Sequence, residues 1–156
     1  MSWIIPGEDR SFIHVESQIT IAAPIATVWA ATVDLKTWPS WCPTIRDAHL
    51  IDGEHISEGS HFRLQQPFQR PRVWRVDELK PPYQASWSTV HGGPQFQATH
   101  LLHMRGDNTV SEARLSVSIE LIFPAALARP ILKTAISFEN RALKRSCEQR
   151  RAKAEV

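Results

Sequence analysis

The chain opens on an alternation of polar and apolar residues. Over residues 12–21, apolar side chains recur at every second position, which is the period of a half-buried strand. These side chains are Ile13, Val15, Ile19 and Ile21. Pro24 then stands where proline is favoured, at the first position of a helix. Apolar residues three and four positions apart from Ile25 to Val33 predict a short helix with one buried stripe.

The middle of the chain predicts six further strands separated by turn sequences. The strands are expected at about 45–51, 60–67, 71–79, 83–90, 95–104 and 110–121. The breaks carry turn residues, at Asp52-Gly53, Pro81-Pro82, Gly92-Gly93 and Gly106-Asp107. Because the connections are short, we expect an antiparallel meander.

The last part of the chain predicts one long helix, from about Pro130 to Arg151. Its apolar stripe is expected to consist of Leu127, Ile131, Ala135, Phe138 and Ala142. Phe138 lies in the middle of this stripe, so we expect most of its ring to be buried against the sheet. A large sheet backed mainly by one helix can curve around it and leave a hollow between the two.

Pairing across the turns predicts which strand face borders this hollow. A four-residue turn at 105–108 places His100 opposite Ala113. The same arithmetic across the two preceding turns puts Trp87 and Trp74 on the face of His100, where we expect the two tryptophans to lie side by side. A slip of one residue would invert each strand, so the register and the hollow are predicted together.

Composition is that of an ordinary globular protein. The 156 residues are 42% hydrophobic and 22% charged, with a net charge of +2. We expect one domain over 1–156, with a core at about 12–150 and residues 1–11 as an N-terminal extension. The basic residues near the end complement a helix C-terminus and carry no nucleic-acid motif. No signal-peptide pattern or membrane-length segment occurs, so we expect a cytoplasmic protein without stable membrane insertion. We expect a monomer or homodimer.

Motifs for metals, nucleotides and nucleophiles are missing from the sequence. His100 and His103 lie three apart on a predicted strand and therefore face opposite ways. Cys42 has no evident base beside it, which argues against a nucleophilic role. Neither a phosphate-binding glycine loop nor a Gly-x-Ser-x-Gly elbow occurs. We expect no metal and no cofactor.

Several segments, in their order along the chain, resemble a known superfamily. They are Ile19-Thr-Ile21, Ala23-Pro24, Val28-Trp29, Asp34, Trp38-Pro-Ser-Trp41, Gly59-Ser-His-Phe62-Arg63, Val76 to Pro82, Ala85-Ser-Trp87 and Gly106-Asp107. The chain resembles START-like, or Bet v 1-like, proteins, and more narrowly bacterial polyketide cyclase/dehydrase-type proteins. The resemblance implies an α+β helix-grip fold: a curved seven-stranded antiparallel sheet around a long C-terminal helix, with two short helices after the first strand.

His100 is the candidate for chemistry, because its strand phase is otherwise apolar. Its imidazole can act as a general acid or base, hydrogen-bond a ligand, or serve as a neutral core histidine. The other candidate ligand-binding residues are Phe62, Gln66, Trp74, Trp87, Leu102 and Leu115. The tryptophans suit a flat aromatic ligand and equally suit a plain core. Trp29, Trp38 and Trp41 are expected to wedge the short helices against the sheet edge.

Three functions remain open from the sequence. The first is binding of a small hydrophobic or aromatic molecule, lipid- or polyketide-like, between sheet and helix. The second is a metal-free aromatase/cyclase or dehydratase that uses His100. The third is a co-chaperone-like interaction module. A cavity that is polar beyond His100 and Gln66 favours the enzyme, and a cavity filled by the protein's own side chains favours the module.

Overall fold

The computed structural model describes residues 12–118 and 125–156. In chain order the elements are β1 Phe12–Ile21, α1 Ile25–Val33, a 3-10 turn Leu35–Thr37, α2 Trp38–Trp41, β2 Asp47–Leu50, β3 His61–Gln65, β4 Arg72–Lys80, β5 Gln84–Thr89, β6 Phe96–Arg105, β7 Asn108–Ser118 and α3 Ala125–Ala154. The predicted α+β helix-grip architecture is confirmed. Residues 119–121 of the predicted last strand and the predicted extension 1–11 lie outside the described residues.

The seven strands form one antiparallel sheet in the order β1-β7-β6-β5-β4-β3-β2. Strands β2 to β7 follow the predicted meander, and β1 pairs with β7 along its whole length. His100 lies opposite Ala113, as the turn arithmetic predicts. A bulge between Val76 and Glu78 shifts the pairing of β4 with β5. Because the bulge lies past Val76, Trp74 keeps its place on the inner face.

Helix α3 covers the free edge of β1. A row of its side chains donates hydrogen bonds to carbonyl oxygens of β1 and of the residue that follows it. The pairs are Arg129 with His14, Lys133 with Glu16, Asn140 with Ser17, Lys144 with Thr20 and Arg151 with Ala22. An edge strand presents unpaired backbone groups, and the four even-numbered carbonyl oxygens of this set lie on the free side of β1, so these hydrogen bonds satisfy them and protect the edge. They also give two of the terminal basic residues a structural role.

The predicted bounds of the closing helix are wrong. The helix begins at Ala125 and ends at Ala154, so Pro130 lies inside it. Although α3 spans 30 residues, no helix in the described ranges is long and apolar enough to cross a bilayer.

The predicted stripe on the closing helix is also wrong for four of its five residues. Leu127, Ile131, Ala135 and Phe138 are exposed, with 38% of Phe138 accessible, whereas Ala142 is buried as predicted. The residues that α3 buries are Ile136, Asn140, Ala142, Leu143, Ser146 and Cys147. The inward face is turned by about one residue, or roughly 100°. It carries the polar Glu139 and Asn140, which a search for apolar spacing passes over.

The turned helix gives a stability prediction. Leu143→Ala should lower the free energy of unfolding by about 2–5 kcal/mol, because it removes buried methyl groups and leaves a void. Phe138→Ala should cost about 1 kcal/mol, since its ring is on the exposed side of α3. Urea unfolding followed by circular dichroism measures both changes. Equal losses for the two variants would contradict the described orientation of α3.

Candidate functional site

A cavity of about 180 Å³ lies between the inner face of the sheet, helix α3 and the end of α2. Five of the sequence-predicted residues line it: Gln66, Trp74, Trp87, His100 and Leu115. Strands β4 to β7 supply four of them, and the β3–β4 connection supplies Gln66. The fold therefore brings together side chains that are up to 49 positions apart in sequence (66 to 115).

Phe62 and Leu102 do not line the cavity, and this part of the expectation is wrong. Phe62 is fully buried and contacts both Trp74, at 6.3 Å between ring centroids, and Trp87, at 5.8 Å. The two tryptophans, expected side by side, thus share Phe62 as a neighbour. Leu102 is buried in a second cluster that includes Leu143. Both residues have the predicted strand phase, but helices cover the inner face at their positions.

Aromatic rings form most of the cavity wall next to β4, β5 and β6. The Trp74 ring lies 6.2 Å from Phe96, and the Trp87 ring lies 5.0 Å from His100. Trp38 packs on Trp87 at 5.5 Å and anchors its own indole N–H on the Thr32 carbonyl oxygen at 3.2 Å. Trp38 therefore wedges α2 against the sheet as predicted and also borders the cavity.

His100 projects from β6 into this wall. Its Nδ1 is buried and has no hydrogen-bond partner. The residue as a whole is partly accessible, and it lines the cavity. Burial lowers the pKa of His100 from 6.5 to about 4, since the apolar surroundings disfavour the imidazolium. The ring is therefore neutral near pH 7 and presents one donor and one acceptor nitrogen.

Glu139 is a cavity-lining carboxyl group that the sequence analysis missed. It projects from α3, and its Oε1 accepts a hydrogen bond from Thr44 Oγ1 at 3.2 Å. Thr44 Oγ1 also lies 3.1 Å from Cys42 Sγ. Because the threonine hydroxyl has one hydrogen and donates it to Glu139, it accepts from the thiol. Burial raises the pKa of Glu139 and favours its uncharged acid.

The Cys42 thiol is the third polar group in this series of hydrogen bonds. It is almost fully buried, and burial raises its pKa, which disfavours the thiolate. The sequence-based argument against a nucleophilic Cys42 is therefore supported for a different reason. The thiol has a carboxyl group two hydrogen bonds away, but its surroundings keep it protonated.

Asn140, next to Glu139, has its hydrogen bonds inside the protein. Its Oδ1 accepts from Ser111 Oγ at 2.9 Å, and its Nδ2 donates to the carbonyl oxygens of Ser17, at 3.1 Å, and Ser111, at 3.3 Å. This amide ties α3 to both β1 and β7. A buried amide satisfied in this way positions the helix and is not available to a ligand.

Arg72 brings a cation to the cavity from the start of β4. Its Nη1 donates to the Pro94 carbonyl oxygen at 3.0 Å, and its guanidinium carbon lies 4.7 Å from the centre of the Phe96 ring. The side chain is partly buried, and this burial lowers its pKa below the ordinary value of a guanidinium. Among residues 12–118 and 125–156, no carboxylate lies within ion-pair distance of Arg72.

Two indole N–H groups complete the set of polar atoms around the cavity. Nε1 of Trp41 and Nε1 of Trp74 are buried without a partner, as is Nδ1 of His100. In the described parts of the chain, these three are the buried side-chain nitrogen and oxygen atoms that lack a hydrogen bond. All three residues line the same cavity. Each unsatisfied buried group lowers the stability of the folded protein by about 1–3 kcal/mol. In the described parts of the chain, this loss of stability arises at a single cavity.

The missed residues differ in how visible they are in the sequence. Arg72 is two positions before Trp74, so strand phase alone would have placed it on the inner face. Trp41 and Glu139 depend on how α2 and α3 are oriented, which the sequence pattern does not fix. No group of three or more histidine, cysteine, aspartate or glutamate side chains in the described ranges is arranged to hold a metal.

Comparison with known proteins agrees with this architecture. Residues 13–148 match the family model of polyketide cyclase / dehydrase and lipid transport proteins. Two Streptomyces proteins, from S. halstedii and S. cyaneus, are described as candidate polyketide cyclases. Each is 36% identical over 62 residues, or 39% of this chain. The match spans 55% and 40% of these relatives' own length.

A solved structure shows the same fold. A START superfamily protein from Mycobacterium smegmatis superposes with a TM-score of 0.77 at 18% identity. The match covers 87% of this chain and 97% of that one. At this level of identity the likeness concerns the fold.

The position of His100 gives a prediction for pH. Its pKa in the folded protein, about 4, lies below the unfolded value of 6.5. The stability that it contributes is therefore complete above pH 6.5 and is lost as the pH falls toward 4, by about 3 kcal/mol in total. Urea unfolding at stepped pH should show this loss, and His100→Phe should remove its share. An imidazole pKa at or above the ordinary value in an NMR titration would contradict the buried, neutral ring.

Proposed function

The chain belongs to the polyketide cyclase / dehydrase and lipid transport family, and from this premise we propose that it binds a small, largely apolar molecule in the cavity between the sheet and α3. The observation that carries the proposal is the set of unpartnered nitrogen atoms of Trp41, Trp74 and His100. A natural core rarely leaves buried polar groups unpaired, and three at one cavity are more than packing requires. A ligand with oxygen atoms would satisfy them.

The size and lining of the cavity indicate the kind of ligand. An apolar cavity of about 150 Å³ accommodates benzene. The volume here, about 180 Å³, therefore suits one aromatic ring or two small fused rings. Trp74, Trp87 and Phe96 offer ring faces and edges, and aromatic pairs add about 0.5–1.5 kcal/mol to the burial of area. The favoured ligand is a compact aromatic molecule.

The interaction-module hypothesis receives less support. That function does not need an internal space, and we expected a cavity filled by the protein's own side chains in such a module. Here the space is open and is lined by the side chains of five strands, α2 and α3. Its unpaired nitrogen atoms would have no use in a module that binds through an external face.

The enzyme hypothesis remains the second candidate because the cavity is polar beyond His100 and Gln66. Arg72 and Glu139 also line it. A buried carboxyl group can transfer a proton to the oxygen of a bound ketone while a water molecule accepts a proton from the neighbouring carbon. The product is the enol: the C–H electron pair forms the new C=C bond, the C=O π pair forms the new O–H bond, and the protonated water returns a proton to the carboxylate. Such a step begins a cyclisation or a dehydration of a polyketone.

Within this second candidate the proton donor is Glu139 and not His100. General acids and bases work best when their pKa lies near the operating pH. Burial moves the pKa of His100 down to about 4, away from neutrality. Burial moves the pKa of Glu139 up, toward neutrality. His100 is then better suited to hydrogen-bond the ligand than to take its proton.

Ligand binding is tested by filling the cavity. Ala135 and Ala126 are both exposed residues of α3, but Ala135 borders the cavity and Ala126 does not. Ala135→Leu should weaken binding of the neutral probe 2-naphthamide about tenfold, because it adds roughly three methylene-sized groups beside the space. Ala126→Leu is the matched control and should leave binding unchanged. Titration with tryptophan fluorescence measures both, and failure of the unaltered protein to bind the probe or other small aromatic molecules would refute the proposal.

Catalysis is tested by proton exchange. If the second candidate is correct, the protein should accelerate hydrogen–deuterium exchange at the central carbon of benzoylacetone, a simple 1,3-diketone, followed by NMR. Glu139→Gln should lower this acceleration by roughly 10²-fold or more. His100→Phe should act mainly on the affinity for the diketone. Exchange no faster than in buffer would leave a binding protein without this enzymatic activity.

A further inference from the structure

We propose that the cavity is specific for an aromatic acid, with Arg72 and Trp74 forming a subsite for its carboxylate. The inference rests on the proposed binding function and specifies the chemistry of the ligand. The ring system lies against the aromatic wall, and the carboxylate lies at the end of the cavity where β4 begins.

The two donors of the subsite come from one strand. Arg72 and Trp74 are separated by one residue in β4, so their side chains leave the same face about 7 Å apart. Both side chains pack on Phe96: the Arg72 guanidinium lies 4.7 Å from the centre of the Phe96 ring, and the Trp74 ring lies 6.2 Å from the same ring. Contact with this one aromatic side chain therefore places both donors on the same side of the cavity.

Arg72 has hydrogen-bonding capacity that the protein leaves unused. One of its nitrogen atoms, Nη1, is bonded to the Pro94 carbonyl oxygen. A guanidinium carries five N–H donors, and its fork matches a carboxylate. Arg114 also borders the cavity, but its Nε is 2.6 Å from Glu112 Oε1. Arg72 is thus the cavity-lining cation without a carboxylate partner in the described parts of the chain.

Trp74 supplies the independent second observation. Only 7% of the residue is accessible, and its Nε1 is buried without a hydrogen-bond partner. An indole nitrogen can only donate, so the atom that satisfies it must be an acceptor. A neutral hydrocarbon would leave this N–H unpaired and the neighbouring guanidinium without an anion.

The other titratable groups of the cavity do not supply that anion. Glu139 lies on α3, and its Oε1 is hydrogen-bonded to Thr44. Burial raises its pKa, and in the described parts of the chain it forms no ion pair with Arg72. His100 is neutral near pH 7. The one formal charge that the subsite offers to a ligand is the guanidinium of Arg72.

A matched pair of probes tests the inference. 2-Naphthoate and 2-naphthamide share the ring system, but only the acid is charged well above its pKa of about 4. We expect the unaltered protein to bind naphthoate about tenfold or more tightly than the amide, because a charge-assisted bond is roughly twice as strong as a neutral one. Isothermal titration calorimetry measures both affinities.

Three variants test whether the preference for the acid over the amide depends on Arg72 and Trp74. Arg72→Gln should lower naphthoate affinity about tenfold and change naphthamide affinity little, and retained amide binding shows that the variant is folded. Trp74→Phe should weaken the acid more than the amide. Arg75→Gln is the control, since Arg75 lies on the opposite strand face, 3.0 Å from Asp77. Its removal of one positive charge should leave both affinities unchanged.

The outcomes separate this inference from the proposed function. Binding of neither probe would refute the proposed function, and the subsite with it. Equal binding of acid and amide, or equal losses of both in Arg72→Gln, would refute the carboxylate subsite and leave the binding function intact. A loss of the acid preference in Arg75→Gln as well would show a general effect of charge and would also refute the subsite.

Discussion

The row of hydrogen bonds between α3 and the edge strand β1 is the constraint on which the rest of the structure depends. Arg129 and Arg151, near the two ends of the helix, donate to backbone carbonyl oxygens at 2.8 and 3.1 Å. The helix is thereby aligned with β1 and packs on β1 and β7. Since the helix is fixed along one edge of a curved sheet, the inner face of the strands farther from that edge faces open space. The cavity follows from this placement.

The same helix shows how the protein separates scaffold from site. Asn140 and Glu139 are adjacent polar residues on its inward side. Asn140 has its carbonyl and amide groups bonded to Ser17 and Ser111, so its burial costs little. Glu139 has one bond, from Thr44, and lines the cavity. A satisfied polar group specifies a structure, whereas a partly satisfied group at an open space is available for binding or chemistry.

The sequence predicts the sheet better than it predicts the helix or the full site. In a strand, side chains alternate between the two faces of the sheet, so the sequence shows which residues share a face. Short turns then fix the register between neighbouring strands. The predicted pairing of His100 with Ala113 is confirmed for this reason. The predicted inward face of α3 is wrong because the actual inward face includes the polar residues Glu139 and Asn140. The spacing of apolar residues does not indicate a face that contains polar residues. Phe62 was misplaced because strand phase specifies the side of the sheet but not what covers it. Polar residues at inward positions are expected where function overrides the folding pattern.

Burial shifts the pKa values of His100 and Glu139 in opposite directions, but both shifts favour the uncharged form. It lowers the pKa of His100 and raises the pKa of Glu139, so each group shifts toward its uncharged form. Arg72, only partly buried, keeps its charge near pH 7 although its pKa is lowered. Moving charge into an apolar interior is costly, whereas a guanidinium with access to water bears a smaller penalty. The two ends of the cavity therefore differ: the inner walls are weakly polar, and the Arg72 cation lies at the start of β4. A ligand with one polar end would bind in one orientation.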